Sequence, residues 1–245
     1  MVSDVPVGVF LSGGYDSSVV TALLQSERTE KLKTFSIGFH EEKFNEAHHA
    51  KKISEHLGTD HTEYYCTQKD ALEILPKLPE IWDEPFADES VIPTILVSQL
   101  AREKVTVSLS ADGGDEVFGG YNKYTQAQYY YQLFNKLPAR KVWAKLFTAI
   151  PPEKTGLDLL IQNFSGKYAR AISIMSAQNQ TESMQKLQQV FSDKEVKTLL
   201  KQQPQKVYTG FDELIFLNPV LSELDKMLAI DFKTYQLDNI LTKVD

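Results

Sequence analysis

The chain has 245 residues, 42% hydrophobic and 24% charged, with a formal net charge of −7, enough for one large domain or two small ones with a sizeable core. The acidic balance argues against a general nucleic-acid binder, which carries a basic face, but not against a bound nucleotide, whose phosphates are held locally. A lone cysteine, Cys66, leaves no intramolecular disulfide to form and fits a reducing compartment. No apolar run approaches the roughly 20 residues that span a bilayer, and no basic-then-apolar leader pattern opens the chain. The expectation is a cytoplasmic protein with no membrane partner.

The first 120 or so residues alternate strand-like and helix-like patterns. Val5 to Leu11 is a short apolar run that ends in glycines, read as a buried strand. Asp16 to Gln25 follows, with Val19, Val20, Leu23 and Leu24 spaced for a helix on a sheet. Thr34 to Phe39 is the second strand. Phe44 to Leu57 carries Phe44, Ala47, Ala50, Ile53 and Leu57 on one helical face and closes on Gly58. His61 to Tyr65 is a weaker third strand, and Ala71 to Ile81 a helix broken up by Pro76 and Pro79. Ser90 to Arg102 reads as a helix with Pro93 in its first turn, and Val105 to Ser110 as a fourth strand with strong β character. Strands separated by helices imply parallel pairing with right-handed crossovers, an α/β domain. After about Tyr121 no strand run is convincing. Apolar residues recur three and four apart, as in Leu187, Val190 and Phe191 or Val196, Leu199 and Leu200. Breakers at Pro138, Pro151, Pro152, Gly156, Gly166, Pro204, Gly210 and Pro219 separate the segments. The expected division is an ATP-binding α/β domain over residues 1–122 and a helical region over 123–245.

The chemistry concentrates on three strings. Ser12-Gly13-Gly14-Tyr15-Asp16-Ser17-Ser18 lies between the first strand and the first helix, where ligands bind at the carboxyl edge of an open parallel sheet. Adjacent glycines let backbone N–H groups close on phosphate oxygens without a Cβ in the way. The helix that follows points its N-terminus at the same anion. Ser12, Ser17 and Ser18 add hydroxyl donors, and Asp16 beside phosphate calls for a divalent cation, which implies Mg²⁺. A tight turn with Ser12 or Asp16 as N-cap is the plainer alternative. Neither Gly-x-x-x-x-Gly-Lys-Ser/Thr nor Gly-x-Gly-x-x-Gly is present, which disfavours a Walker-type NTPase and a dinucleotide enzyme.

Ser110-Ala111-Asp112-Gly113-Gly114-Asp115-Glu116, continuing to Tyr121, follows the fourth strand. Its carboxylates, on a glycine-rich loop, suit a metal ligand plus a base, whereas alone they would read as a solvated acidic turn. Asp83-Glu84-Pro85-Phe86-Ala87-Asp88-Glu89-Ser90 reads equally as a substrate or metal contact and as an acidic helix start. The five histidines lack zinc-ligand spacing, and His48 and His49, being adjacent, point to different sides of their helix. Tyr121, Tyr124, Tyr129, Tyr130 and Tyr131 read as helix packing, and Cys66 as an inert thiol.

Together the three strings resemble the synthetase domain of the asparagine synthase family. That domain carries Ser-Gly-Gly-x-Asp-Ser, then Glu-Pro-Phe-Ala-Asp with Ile-Pro-Thr, then Gly-Asp-Gly-Gly-Asp-Glu-x-Phe-Gly-Gly-Tyr. The corresponding residues are Ser12 to Ser17, Glu84 to Asp88 with Ile92-Pro93-Thr94, and Ser110 to Tyr121, and Thr34 to Phe39 is similar to the family's adenine-side strand. The resemblance runs from about Val5 to Tyr124 and resumes at Leu237 to Asp245, where it is similar to the segment before an Arg-x-Ser-Met string. Ala111 stands where the family has glycine.

The resemblance implies a parallel sheet of the adenine-nucleotide alpha-hydrolase-like (PP-loop) topology followed by a mostly helical region. It also implies a reaction in two steps: a carboxylate (aspartate or an analogue) attacks the α-phosphate of ATP, and ammonia then displaces AMP to leave an amide. By carry-over Ser12, Gly13, Gly14, Asp16 and Ser17 hold pyrophosphate and Mg²⁺, with Asp115 as a further metal ligand. Leu11, Ile37, Ser110 and Ala111 line the AMP site, Asp112 handles the ammonia proton or positions the tetrahedral intermediate, and Glu116 joins it as catalytic. Ammonia is expected from a glutaminase domain or partner, since full-length family members begin with a domain whose N-terminal cysteine is the nucleophile and Val2 follows Met1 here. The reading is therefore of a fragment, and a homodimer is left open. A paralogue amidating a sugar acid or peptide, and a non-catalytic adenine-nucleotide binder, are the competing readings.

Overall fold

The computed structural model describes residues 3–41, 45–82, 88, 90–191, 193–200, 208–213 and 220–244. The expected helix start at Phe44, the acidic string from Asp83 to Ala87 with Glu89, the breakers Pro204 and Pro219, and the terminal Met1, Val2 and Asp245 lie outside the described residues. The chain forms two compact units, one of residues 1–114 with 238–245 and one of residues 115–237.

The first unit is built on four parallel strands, β1 (Val7–Phe10), β2 (Lys33–Phe39), β3 (Asp60–Cys66) and β4 (Val107–Leu109), in the order β3-β2-β1-β4. The register pairs Phe10 with Phe35, Val9 with Leu109 and Ile37 with Tyr64. Around the strands lie α1 (Tyr15–Ser26), α2 (Ala47–Leu57), α3 (Gln68–Ile74), α4 (Leu78–Ile81) and α5 (Val91–Arg102). Because side chains alternate across a strand, β2 separates two layers. Phe35, Ile37 and Phe39 pack with residues of α5, among them Leu96 and Ala101, while Gly38 faces Ala47 of α2. A Cβ on Gly38 would stand 3.0 Å from that of Ala47, so the glycine sets how closely α2 lies on the sheet. Phe35 is 1% exposed, and burying a side chain of that size contributes about 1.5–3 kcal/mol.

Local chemistry fixes the helix ends. Gly58, at φ 72°, closes α2 with its N–H on the Ser54 carbonyl. Thr67 and Asp70 cap each other's backbone at the start of α3, three residues before the apolar pattern suggests. Pro76 and Pro79 then divide the expected Ala71–Ile81 helix into α3, a 3-10 turn (Leu75–Lys77) and α4. The fourth strand is shorter than its β-rich sequence suggests. Val105 N–H is taken by the Ala101 carbonyl, so the chain is still leaving α5 there.

The second unit is helical: α7 (Asn122–Asn135), α8 (Arg140–Thr148), α9 (Phe164–Met175), α10 (Gln180–Gln188), α11 (Asp193–Leu199) and α12 (Glu223–Lys233). The short helix α6 (Gly114–Phe118) leads into it, and a π-helical turn (Gln236–Leu241) followed by α13 (Thr242–Val244) leaves it. Its core gathers Tyr124, Ala127, Met184, Met227 and Ile230. Among the described residues no helix is long and apolar enough to cross a membrane.

His61 gives the first unit a pH response. Its Nδ1 pairs with Thr34 Oγ1 at 2.9 Å, and Nε2 stands 3.7 Å from Glu63 Oε1. Burial, against the pull of Glu63, sets its pKa below the ordinary value of 6.5. The unfolded chain therefore takes up a proton that the fold resists, so stability is full above about pH 6.5 and falls as pH drops below it. Urea unfolding from about pH 7.5 down to pH 5 is expected to show that loss. His61→Gln is expected to flatten it, and an unchanged slope would remove His61 from the account.

Candidate functional site

The strand order reverses direction at β1. The chain passes from β1 to β2 and β3 on one side and places β4 on the other. The carboxyl ends of β1 and β4 thus flank the switch point, where open α/β sheets hold ligands. The Ser12–Ser18 loop leaves β1 there, and the Ser110–Gly113 loop leaves β4 beside it.

The first loop is a preformed cradle. Leu11 is its footing: 1% exposed, it donates its N–H to the Phe35 carbonyl at 2.9 Å, and its own carbonyl accepts Ser36 Oγ. Gly13 turns the chain at φ 88°, with its missing Cβ directed at Ala50 N, 2.8 Å away, and His49 Cβ, 2.9 Å away. The loop therefore lies against the start of α2. Ser17, 7% exposed, ties it inward: Ser12 N–H donates to Ser17 Oγ at 3.2 Å, and the two hydroxyls are 2.9 Å apart. Ser18 Oγ donates to the Gly14 carbonyl at 2.6 Å.

Gly14 is the N-cap of α1, and no side chain caps that end. Ser12 and Asp16 are thus not N-caps in the ordinary sense, and the first turn of α1 has no side-chain acceptor in place of an anion. Asp16, in that first turn, lies against the second loop. A Cβ on Gly114 would stand 2.6 Å from Asp16 Cγ, so glycine is what lets the β4 loop approach the carboxylate.

Ser110 and Ala111 are partly buried and Asp112 is exposed on that second loop. The loop turns at Gly113, φ 95°, with Gly114 N–H on the Ala111 carbonyl at 3.2 Å. Ile37 lies in β2, two residues before its carboxyl end. The fold therefore brings Leu11, Ser12, Gly13, Gly14, Asp16, Ser17, Ile37, Ser110, Ala111 and Asp112 to one sheet edge. Asp115 and Glu116 belong to the second unit. Glu116 is 2% exposed, with both carboxylate oxygens buried and unbonded among the described residues. The Tyr121 hydroxyl pKa is raised by burial and then by Glu116.

Of the third string, Asp88 and Ser90 are described. Asp88 Oδ1 accepts Ser90 N–H at 2.7 Å and Ser90 Oγ at 2.5 Å, while Oδ2 accepts Asn239 Nδ2 at 2.8 Å. Burial works against the charge, but these bonds and the nearby Lys243 outweigh it and hold the carboxyl below its ordinary pKa. Lys243 Nζ reaches Ser90 Oγ at 3.1 Å, and Trp82 Nε1 donates to the Thr242 carbonyl at 3.1 Å. Asp88 thus clasps residues 239–243 to the stretch before α5. Sequence spacing could not show this pairing across about 150 positions.

A family model described as asparagine synthase matches residues 1–245. The chain belongs to the asparagine synthase family. It is 44% identical over 180 residues to a putative asparagine synthetase [glutamine-hydrolyzing] 2 of Methanocaldococcus jannaschii, a match covering 72% of this chain and 33% of that protein. It is 32% identical over 249 residues to asparagine synthetase [glutamine-hydrolyzing] 1 of Bacillus subtilis, covering 100% of this chain and 37% of that one. The chain spans about a third of the length of these curated relatives. The α/β parallel sheet with its helical extension agrees with this family's ATP-binding domain.

Proposed function

We propose that the chain carries the ATP-binding part of a ligase that makes an amide through an acyl-adenylate, converting aspartate to asparagine. The observation that supports this reading best is Asp16 set in an uncapped helix start against Gly114. The arrangement suits phosphate and a divalent cation together and suits bare phosphate poorly. The donor set also fits Mg²⁺, which keeps waters and substrate phosphate oxygens and takes one or two carboxylates. Among the described residues no group of three or more His, Cys, Asp or Glu is gathered as a self-sufficient metal centre. Asp16 would hold the ion, which would neutralise charge on the pyrophosphate, and the family resemblance assigns Asp115 as a further ligand.

The protein groups then have separate tasks. Ser12, Gly13, Gly14 and Ser17 bind the β- and γ-phosphates, and Leu11, Ile37, Ser110 and Ala111 shape the AMP site. A substrate carboxylate oxygen attacks the α-phosphorus as the bond to pyrophosphate breaks. Fixed backbone dipoles stabilise the leaving charge without reorganising. Ammonia nitrogen next attacks the acyl carbon, AMP leaves with its electron pair, and exposed Asp112 takes the ammonia proton. The relatives' names include glutamine hydrolysis, and ammonia would come here from glutamine hydrolysed in another domain or by a partner.

The test supplies ammonium and Mg·ATP and measures pyrophosphate and AMP release with a panel of carboxylates. Equimolar release that depends on aspartate is the expected result. Release with a sugar acid or a peptide instead would reassign the substrate. Mg·ATP binding without release for any carboxylate would reject the ligase reading.

A further inference from the structure

The second unit contains a buried ionic cluster whose charged residues lie outside the three strings. Lys123, the second residue of α7, places Nζ 2.6 Å from Asp231 Oδ2, and Tyr124 Oη donates to the same oxygen at 2.6 Å. Asp231, on α12, is 1% exposed. The ammonium also lies 4.4 Å from the ring centroids of both Tyr121 and Tyr235. A cation held by a buried carboxylate between two aromatic faces is fixed in place, and its partner depends on it.

This cluster grips the chain just after the acidic loop. Tyr121 is the N-cap of α7, and Gly119 and Gly120 both donate their N–H groups to the Asp115 carbonyl, at 2.8 and 3.1 Å. A Cβ on Gly120 would stand 1.9 Å from Asp115 Oδ1, so the Asp115 carboxylate rests on the backbone of Gly120. One short connection therefore runs from Asp231 through Lys123 and the Tyr121 ring to the backbone that seats Asp115. We propose that Lys123, paired with Asp231, is a positioning residue that holds the Asp115 carboxylate in its metal-binding pose. The inference rests on the reading of Asp115 as a Mg²⁺ ligand.

The experiment titrates Mg²⁺ into the protein with ATP present and follows nucleotide binding by calorimetry, with no turnover required. Residues that orient a metal ligand typically change metal affinity about 10- to 100-fold when lost, so Lys123→Met is expected to raise the half-saturating Mg²⁺ by about that factor. ATP binding without Mg²⁺ is expected to stay the same. Lys123→Arg, which keeps a cation between the rings, is expected to recover most of the loss. Should Lys123→Met fail to fold, Asp231→Asn replaces it and is expected to shift the Mg²⁺ requirement in the same direction. A variant that only lowers the unfolding midpoint, at unchanged Mg²⁺ requirement, overturns the inference. Asp115→Asn separates the two levels. If it shifts the requirement and Lys123→Met does not, the positioning role is wrong and the metal assignment stands. If Asp115→Asn shifts nothing, the metal assignment is wrong and the positioning role falls with it.

Discussion

Asp16→Asn is expected to change nucleotide binding in opposite directions with and without Mg²⁺. Asp16 occupies the first turn of α1, where the helix field favours negative charge and the uncapped N–H groups attract phosphate. Two anions at one helix end repel unless a cation joins them. Without Mg²⁺ the parent carboxylate opposes ATP, so the asparagine variant is expected to bind free ATP more tightly. With Mg²⁺ the carboxylate becomes a ligand, and its loss is expected to weaken Mg·ATP binding and to cut pyrophosphate release by about 10²–10³, the cost typical of one fixed electrostatic contact at a reacting centre. Paired titrations with and without chelator check both signs. Equal weakening in both conditions would mean that Asp16 only shapes the loop. The asparagine keeps the volume beside Gly114, so a packing defect is not expected to imitate the result.

Much of the first unit was legible because local rules and tertiary packing agree there. The apolar runs around Val9, Phe35 and Leu109 are short and bounded by glycine or charge, and they became neighbouring parallel strands. Gly58 announced the end of α2 because a left-handed residue terminates a helix cheaply when it has no Cβ. The start of α3 was written in Thr67 and Asp70, a capping box, yet the apolar pattern begins later at Ala71 and drew the boundary with it. Val105 illustrates the opposite failure. Its β-branched run favours a strand, but the Ala101 carbonyl claims its N–H first.

At the site, residue types were legible and contacts were not. Asp16 signalled a cation by its chemistry alone. Nothing in the string showed that Gly114 would lie against it, because that approach depends on β4 pairing with β1. Ser36 supporting Leu11 and Asn239 binding Asp88 are likewise products of the fold. The Asp88 pairing shifts the weight of the two readings open for that residue. Its oxygens are engaged by Ser90 and Asn239, which makes it a clasp holding the return of the chain.

The two loop glycines, identical in the string, are expected to respond differently to alanine. Gly13 sits at φ 88°, and its added Cβ would meet the Ala50 backbone nitrogen at 2.8 Å. Left-handed strain alone costs about 1–3 kcal/mol, and a backbone atom of α2 cannot rotate away as a side chain could. Relief would require the loop to lift from α2, carrying the start of α1 out of register with the phosphates it is proposed to hold. Gly14, at φ −73° and ψ 167°, already has a conformation open to any residue. The nearest atom to its added Cβ is Ser12 Oγ at 3.4 Å, an ordinary contact. Gly13→Ala is therefore expected to lower unfolding stability by about 1–3 kcal/mol and to abolish measurable Mg·ATP binding. Gly14→Ala is expected to stay within about 0.5 kcal/mol of the parent. Any binding it loses would come only from the methyl group facing the phosphates. Urea denaturation beside nucleotide titration distinguishes the two, and equal stability losses would mean that the bend at Gly13 is not what holds the cradle open.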